Sequence, residues 1–294
     1  MKTFVGTILF VCIALSAHAQ ILWKVSGNGL QSPSYIIGTH HLAPLSIKDS
    51  IAGLPEALKA TRQVYGELKI SDIQSATTMQ KMQQQMMIQS DTTLQSLLGT
   101  EEYELVNKFS KENLRVDLAV VPKLKPAALQ NNIVVMAYVK HIGNFNPQEQ
   151  LDTYFQTEAL REGKKVEGLE TPEFQFNLLY NSTSLTRQAQ LLMCTLKNID
   201  AEVEQLRVAT EAYMKQDLDK ILQISRERNN DSCDPLPEEE AAMNDKRNKA
   251  WVKKLDVIMK EAPTFVAVGA LHLPGDKGLL NLLKLRGYTV EPVK

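Results

Sequence analysis

Two short apolar runs at opposite ends of the chain, Tyr35-Ile36-Ile37 and Phe265-Val266-Ala267-Val268, each stop at a glycine. In each case a histidine follows three residues later with a leucine behind it. Short apolar runs bounded by glycine and proline read as buried strands rather than helices. Here Gly38 and Gly269 end the runs, and Pro44 and Pro274 break the chain soon after. Strands therefore lie at both ends of the chain, and any sheet built from them has to accommodate what lies between.

Leu22-Trp23-Lys24-Val25, a loop around Gly27-Asn28-Gly29, and Tyr35-Ile36-Ile37 read as a hairpin or strand pair. A short helix follows over Ile51 to Ala60, then a strand-like run from Gln63 to Ile70 that contains Glu67. Ile73 to Gly163 is almost entirely helical in pattern. Within it the Met- and Gln-rich stretch Met79 to Gln89 reads as a partly exposed helix in preference to a flexible flap. Lys164 to Glu170 returns to strand, and Thr171-Pro172 opens another helix. Ser184 to Lys260 is again helical; Pro235 to Glu240 place proline and acids at a helix start, and Lys253, Lys254 and Lys260 stand at its far end. Thr264 to Val268 is a strand, Asp276 to Arg286 a helix capped by Gly287, and Tyr288 to Val290 the last strand. The expected fold is α/β (α+β): a small mixed, mostly parallel sheet with two long helical insertions forming a layer or lid. No Pro-, Gly- or Ser-rich linker divides residues 20–294, which read as one domain.

The first nineteen residues read differently. Lys2, the apolar run Phe4 to Leu15, and Ala17-His18-Ala19 form a secretory signal with cleavage just before Gln20. An exported, periplasmic or extracellular protein follows as the expectation, with no stable membrane insertion after cleavage. The full chain carries a net charge of −1, and 44% of its residues are hydrophobic, enough for a real core. No basic run with interleaved aromatics is present, so nucleic-acid binding has no support. Beyond the leader, Cys194 and Cys233 either bridge, as an oxidising compartment permits, or remain two buried thiols.

The chemistry concentrates on few residues. His41 and His272 follow strand-ending glycines, and open α/β sheets bind ligands at the carboxyl ends of their strands. Imidazole is both the commonest metal ligand and an acid/base group near neutral pH. Glu67 lies in an apolar strand-like run and Glu170 at the end of another, where a carboxylate is costly unless paired or ligated. Four strand ends would thus direct His, Glu, Glu and His to one rim. Arg247 and Asn248 lie on a helix beside Lys246, Lys249 and Lys253, and spacing alone favours a solvated face. The alternative is an Arg that holds a carboxylate or stabilises an oxyanion. His141 is expected to be structural. The chain holds no H-E-x-x-H, Gly-x-Ser-x-Gly, P-loop or dinucleotide fingerprint.

Leu22 to Val25, Tyr35 to Leu42, Val64 to Ile70, Gly168 to Thr171, Arg247-Asn248 with Trp251, and Val268 to Gly275 together resemble the TraB/GumN family, in the right order and over almost all of the chain. That family includes the Tiki proteins, described as divalent-metal-dependent proteases. The resemblance implies a fold related to the erythromycin-esterase/ChaN group and a metal-dependent hydrolase site. Its motifs fall on His41, His272 and Glu67 as metal-holding residues, with Arg247 and Asn248 as the helix pair; Glu170 would support a ligand or act as base. The metal would be a divalent ion, Mn, Co or Zn, and the substrate a peptide or small molecule. His40 departs from the pattern, which commonly has a bulky apolar residue there; the spacing from Gly38 favours His41. Two other functions remain open: a metal-free esterase-like hydrolase with a histidine as general base, and a non-catalytic protein that sequesters a peptide or signal.

Overall fold

The computed structural model describes residues 20–143, 146 and 149–294; Met1–Ala19, which the sequence reading expects to be a secretory signal, lies outside the described residues. Six strands form one sheet: β1 (Leu22–Gly27), β2 (Ser34–Thr39), β3 (Gln63–Gly66), β4 (Lys165–Gly168), β5 (Thr264–Gly269) and β6 (Tyr288–Pro292), in the order β4-β3-β5-β2-β1-β6. β2, β5, β3 and β4 run parallel, while β1 is antiparallel to both β2 and β6. The sheet is therefore small, mixed and mostly parallel, as the pattern of runs predicts.

The two Gly-x-x-His strands are direct neighbours. Tyr35 pairs with Phe265 and Thr39 with Gly269, so both runs end at the same rim. The glycines are explained by close approach rather than by unusual dihedrals. A Cβ on Gly38 would meet the Cα of Ala270 at 3.0 Å and Leu273 Cδ2 at 3.3 Å. One on Gly269 would meet Glu67 Oε1 at 3.2 Å. The other two parallel strands also end in glycine, Gly66 and Gly168.

Boundaries differ from the sequence reading in two informative places. β3 stops at Gly66, so Glu67 follows the strand instead of lying within it. The Gln156 side chain on the helix Leu151–Arg161 ends the strand, accepting from the Ile70 amide and donating to the Leu68 carbonyl. The helix running to Glu261 is preceded by a π-helical turn, Ala241–Asp245, which periodicity does not signal. The Met- and Gln-rich stretch is a helix over Ala76–Gln85 with no buried residue.

One contiguous apolar core joins the sheet to the helices Leu54–Ala60, Leu151–Arg161, Lys246–Glu261 and Leu279–Leu285. A second core lies within the helical insertions, where Leu94, Val106, Leu118, Ile133, Leu192 and Met193 pack together. No helix among the described residues is long and apolar enough to cross a membrane. Cys194, on the helix Leu185–Lys197, is bonded to Cys233 in the loop before Pro237. Arg187 reinforces the same loop by donating to the Ser232 and Asp234 carbonyls and pairing with Glu239.

The disulfide closes a loop of sequence separation 39, for which the chain-entropy treatment gives about 4 kcal/mol. The double variant Cys194→Ser, Cys233→Ser should unfold at a clearly lower temperature than the oxidised chain. Equal melting temperatures in calorimetry would mean that the bridge contributes nothing.

Candidate functional site

The carboxyl ends of β2, β3, β4 and β5 share one rim, and the segments that leave them surround a cavity of roughly 490 Å³. His41, Glu67, Arg247 and His272 line it, together with His40 and Gln175. A larger depression of roughly 690 Å³ lies beside the helix Pro126–His141, but its ionisable side chains, Glu112, Arg115 and Lys140, are all exposed. The chemistry is on the sheet rim.

Arg247 is the hub. The sequence reading that placed it and Asn248 on a solvated face is wrong: they are 5% and 2% exposed, while Lys246, Lys249 and Lys253 do face solvent. The reason is visible in the helix itself, since Arg247 continues the buried stripe Trp251, Leu255 and Met259 at four-residue intervals. Its Nε donates to Glu170 Oε1 at 2.9 Å. Nη2 donates to Glu170 Oε2 at 2.8 Å and to Glu67 Oε2 at 2.5 Å. Nη1 donates to the Met243 carbonyl, in the π-turn, at 3.1 Å and to His272 Nε2 at 3.0 Å. A guanidinium has five N–H donors, and all of them are engaged. Its Cζ also lies 4.6 Å from the Trp251 ring centroid, a cation–π contact.

The carboxylates are correspondingly committed. Glu170 also accepts from Trp251 Nε1 at 2.9 Å and from Gln175 Nε2 at 3.2 Å, so it holds Arg247 and has no oxygen left over for substrate. Glu67 accepts from the Gly269 amide at 2.8 Å through Oε1 and from Gln175 at 2.9 Å through Oε2. Burial pushes the Glu67 carboxyl up, but the Arg247 guanidinium and the Gly269 N–H outweigh it and hold the group below its ordinary value.

The two motif histidines are oriented in the same way. His272 Nδ1 lies 2.7 Å from Asn248 Oδ1. The Asn248 amide nitrogen donates to the His272 and Lys277 carbonyls, which fixes the oxygen toward the ring. His272 is thus protonated on Nδ1, and Nε2 is the acceptor for Arg247. Burial pushes it from 6.5 down to about 4, so it is neutral. His41 donates from Nδ1 to Asp152 Oδ2 at 3.0 Å, and Thr39 Oγ1 donates to the other oxygen of Asp152 at 3.0 Å. Asp152 raises His41 from 6.5 to about 9. The ring is 60% exposed, so solvent screens the pair and it adds little to stability.

His40 turns away from this arrangement. It packs edge-on to Tyr213, with centroids 5.4 Å apart, and contacts Thr210 Oγ1 at 3.2 Å. Burial pushes it to about 4. His141 ends the helix Pro126–His141 and takes no part in the cavity lining. Sequence reasoning missed Asp152, Gln175 and Thr39. Gln175 stands one helical turn past Thr171, which caps that helix, and offers a weak signal; Asp152 offers none, because only the tertiary fold brings it to His41.

Do these residues suit a divalent ion? Among the described residues no three His, Cys, Asp or Glu side chains are grouped as a ready-made cage. The donor chemistry nevertheless fits. His272 Nε2 and Glu67 Oε1 are 3.7 Å apart, near the roughly 3.4 Å separating two ligands on one tetrahedral ion with ~2.1 Å bonds. His41 lines the same cavity with only Nδ1 tied to Asp152. Anchoring one ring nitrogen on an oxygen acceptor is how metal-binding histidines are commonly oriented. Arg247 Nη1 is the group that would give way at His272 Nε2.

Two outcomes follow. Arg247→Met should destabilise the chain by about 3–5 kcal/mol, because it strands Glu67 and Glu170 without their cation; Arg207→Ala, on an exposed helix face, should cost under about 0.5 kcal/mol. Denaturant titration of both variants measures the contrast. In the chelator-treated chain, ¹⁵N-edited histidine spectra at pH 6 should show His272 neutral and Nδ1-protonated and His41 doubly protonated. Asp152→Asn should return His41 toward 6.5. The signs differ between the rings: His272 and His40 are folded-state neutral, so stability falls as pH drops from 6.5 toward about 4. The His41 contribution is present below 6.5 and fades as pH rises through about 9.

No curated protein and no solved structure matches the chain. Residues 21–292 match the TraB/PrgY/gumN family. That span takes in both Gly-x-x-His strands, Glu67, Glu170 and the Arg247 helix, and the chain belongs to the TraB/PrgY/gumN family.

Proposed function

We propose that the chain is an exported, metal-dependent hydrolase of peptides. The observation that carries this reading is the matched orientation of His41 and His272. Each ring has Nδ1 anchored on an oxygen, at Asp152 and Asn248, and both border one cavity with Glu67. Their Nε2 atoms and Glu67 Oε1 would hold a divalent ion of the Mn, Co or Zn type, which when bound lowers the pKa of a coordinated water to about 7.

The protein's own groups account for the rest. Glu67 keeps its negative charge at neutral pH through Arg247 and the Gly269 amide, so it offers a charged oxygen on the rim. Glu170 and Gln175 position Arg247 and Glu67. Arg247 Nη1 has the most exchangeable of the five contacts, a neutral imidazole and a carbonyl. Swinging that N–H away from His272 frees the ring nitrogen and turns a donor toward negative charge developing on a substrate carbonyl. Asp152 accepts from His41 Nδ1, which would leave Nε2 as the deprotonated nitrogen for the ion.

The Arg247–His272 hydrogen bond also favours a second reading, a metal-free esterase-like hydrolase in which Nε2 remains bound to Arg247. The two part on one preparation. Protein purified without chelator should carry about one divalent ion per chain and cleave a peptide library, with cleavage lost on chelation and restored by Mn, Co or Zn. His41→Ala and His272→Ala should abolish metal uptake and cleavage while keeping the fold, and His141→Ala should do neither. Cleavage that survives chelation supports the metal-free reading; neither metal nor cleavage leaves a binding protein. Mass spectrometry of material from outside the producing cytoplasm should find a chain starting at or near Gln20, and an intact Met1 there would defeat the export reading.

A further inference from the structure

The cavity beside the polar cluster has a second wall of a different kind. Leu178, Leu179, Ala209, Ile221, Met243 and Leu271 line it together with the charged groups. Three of these are costly to leave in water: Leu179, Met243 and Leu271 are each 38% exposed. They come from three separate elements, the helix Pro172–Asn181, the π-turn Ala241–Asp245 and the turn Ala270–His272, yet all border the same opening. An apolar lip assembled from unrelated segments is the mark of a binding surface rather than a packing accident.

The charges on the polar wall point the same way. All the donors of Arg247 are occupied by Glu67, Glu170, His272 and Met243, and His41 is paired with Asp152. Among the described residues that line the cavity, each protein cation already faces a carboxylate of the protein, so apart from a bound metal ion none is left to hold a substrate carboxylate. The Leu179, Met243 and Leu271 side chains offer only apolar contact. Past Leu271 and Asn244 the surface changes to a trough bearing Arg226, Glu240, Asp245, Asp276 and Lys277. The apolar demand is therefore confined to a single position of an extended ligand.

We infer that this pocket selects a peptide with a bulky apolar side chain, Leu, Met or Phe, beside the bond to be cut, and rejects an acidic side chain there. The location of the scissile bond rests on the hydrolase reading; the apolar selectivity rests on the pocket alone. Burial of such a side chain against the Leu179–Met243–Leu271 lip supplies binding energy by the hydrophobic effect, while an Asp placed against that lip is desolvated by apolar side chains.

The test uses capped, amidated hexapeptides that differ at one position, Leu, Met, Phe, Ala or Asp, on the full chain and on Leu179→Asp and Leu271→Asp. Leu285→Asp, at an exposed leucine outside the cavity, is the control. Cleavage by the metal-loaded chain should favour Leu, Met and Phe over Asp by tenfold or more. Each lip variant should erase most of that preference, and the control should not. Calorimetric binding of the same peptides to the chelated chain gives a readout independent of turnover. If nothing is cleaved but Leu-peptide binds tenfold tighter than Asp-peptide and the lip variants remove the difference, the hydrolase reading fails and the selectivity stands. Cleavage or binding with no apolar preference overturns the inference, as does a preference that the lip variants leave unchanged.

Discussion

A single buried guanidinium holds the site together. Two carboxylates at strand ends, Glu67 and Glu170, would be intolerable in a mostly dry setting without a cation between them, and Arg247 meets both. Because the carboxylates follow β3 and β4 while the arginine sits on the helix that precedes β5, the pairing also fixes that helix against the sheet. Trp251 closes the arrangement: its ring contacts both Arg247 and His272, tilted to the imidazole with a centroid 4.4 Å from it, and its N–H is committed to Glu170. The cluster holds Glu67 charged, while His41 answers first to Asp152 and His40 to burial.

Much of the frame was legible in the chain itself. Apolar runs that stop at glycine identify β2 and β5, and the same signature at Gly66 and Gly168 marks β3 and β4. Glycine is required there because neighbouring backbone or a carboxylate oxygen approaches within about a van der Waals contact, which is a constraint local enough to leave a trace in sequence. His41 and His272 follow from those glycines, whereas Glu67 and Glu170 follow from the cost of an unpaired carboxylate in an apolar run, and the sequence reading places Glu67 inside the strand that in fact stops at Gly66. The side-chain partners were harder. Arg247 looked like one cation among several lysines, although its register with Trp251, Leu255 and Met259 gave the opposite answer. Charge type outweighed periodicity in that reading, and periodicity was the better guide.

What the sequence does not carry is the contact between distant elements. Asp152 reaches His41 only because the helix Leu151–Arg161 packs against β3 and β4 in the finished fold. The division of labour between adjacent histidines is similar. His40 and His41 are indistinguishable by composition, and the burial of one beside Tyr213 and the pairing of the other with Asp152 decide their chemistry. Neighbouring imidazoles thus sit on opposite sides of neutrality, one near 4 and the other near 9.

The parallel pairing of β2 with β5 has a consequence for how such a chain comes into being. During synthesis from the amino end, β1 and β2 emerge first and their partner emerges nearly last. Throughout that interval the histidines after Gly38 have neither Glu67 locked by the Gly269 amide nor Arg247 to organise the rim. Contacts this remote in sequence form slowly and only after the intervening helices have condensed. The rim is therefore complete only once the helix Lys246–Glu261 and β5 have joined the strands made first, so its geometry depends on nearly the whole length of the chain.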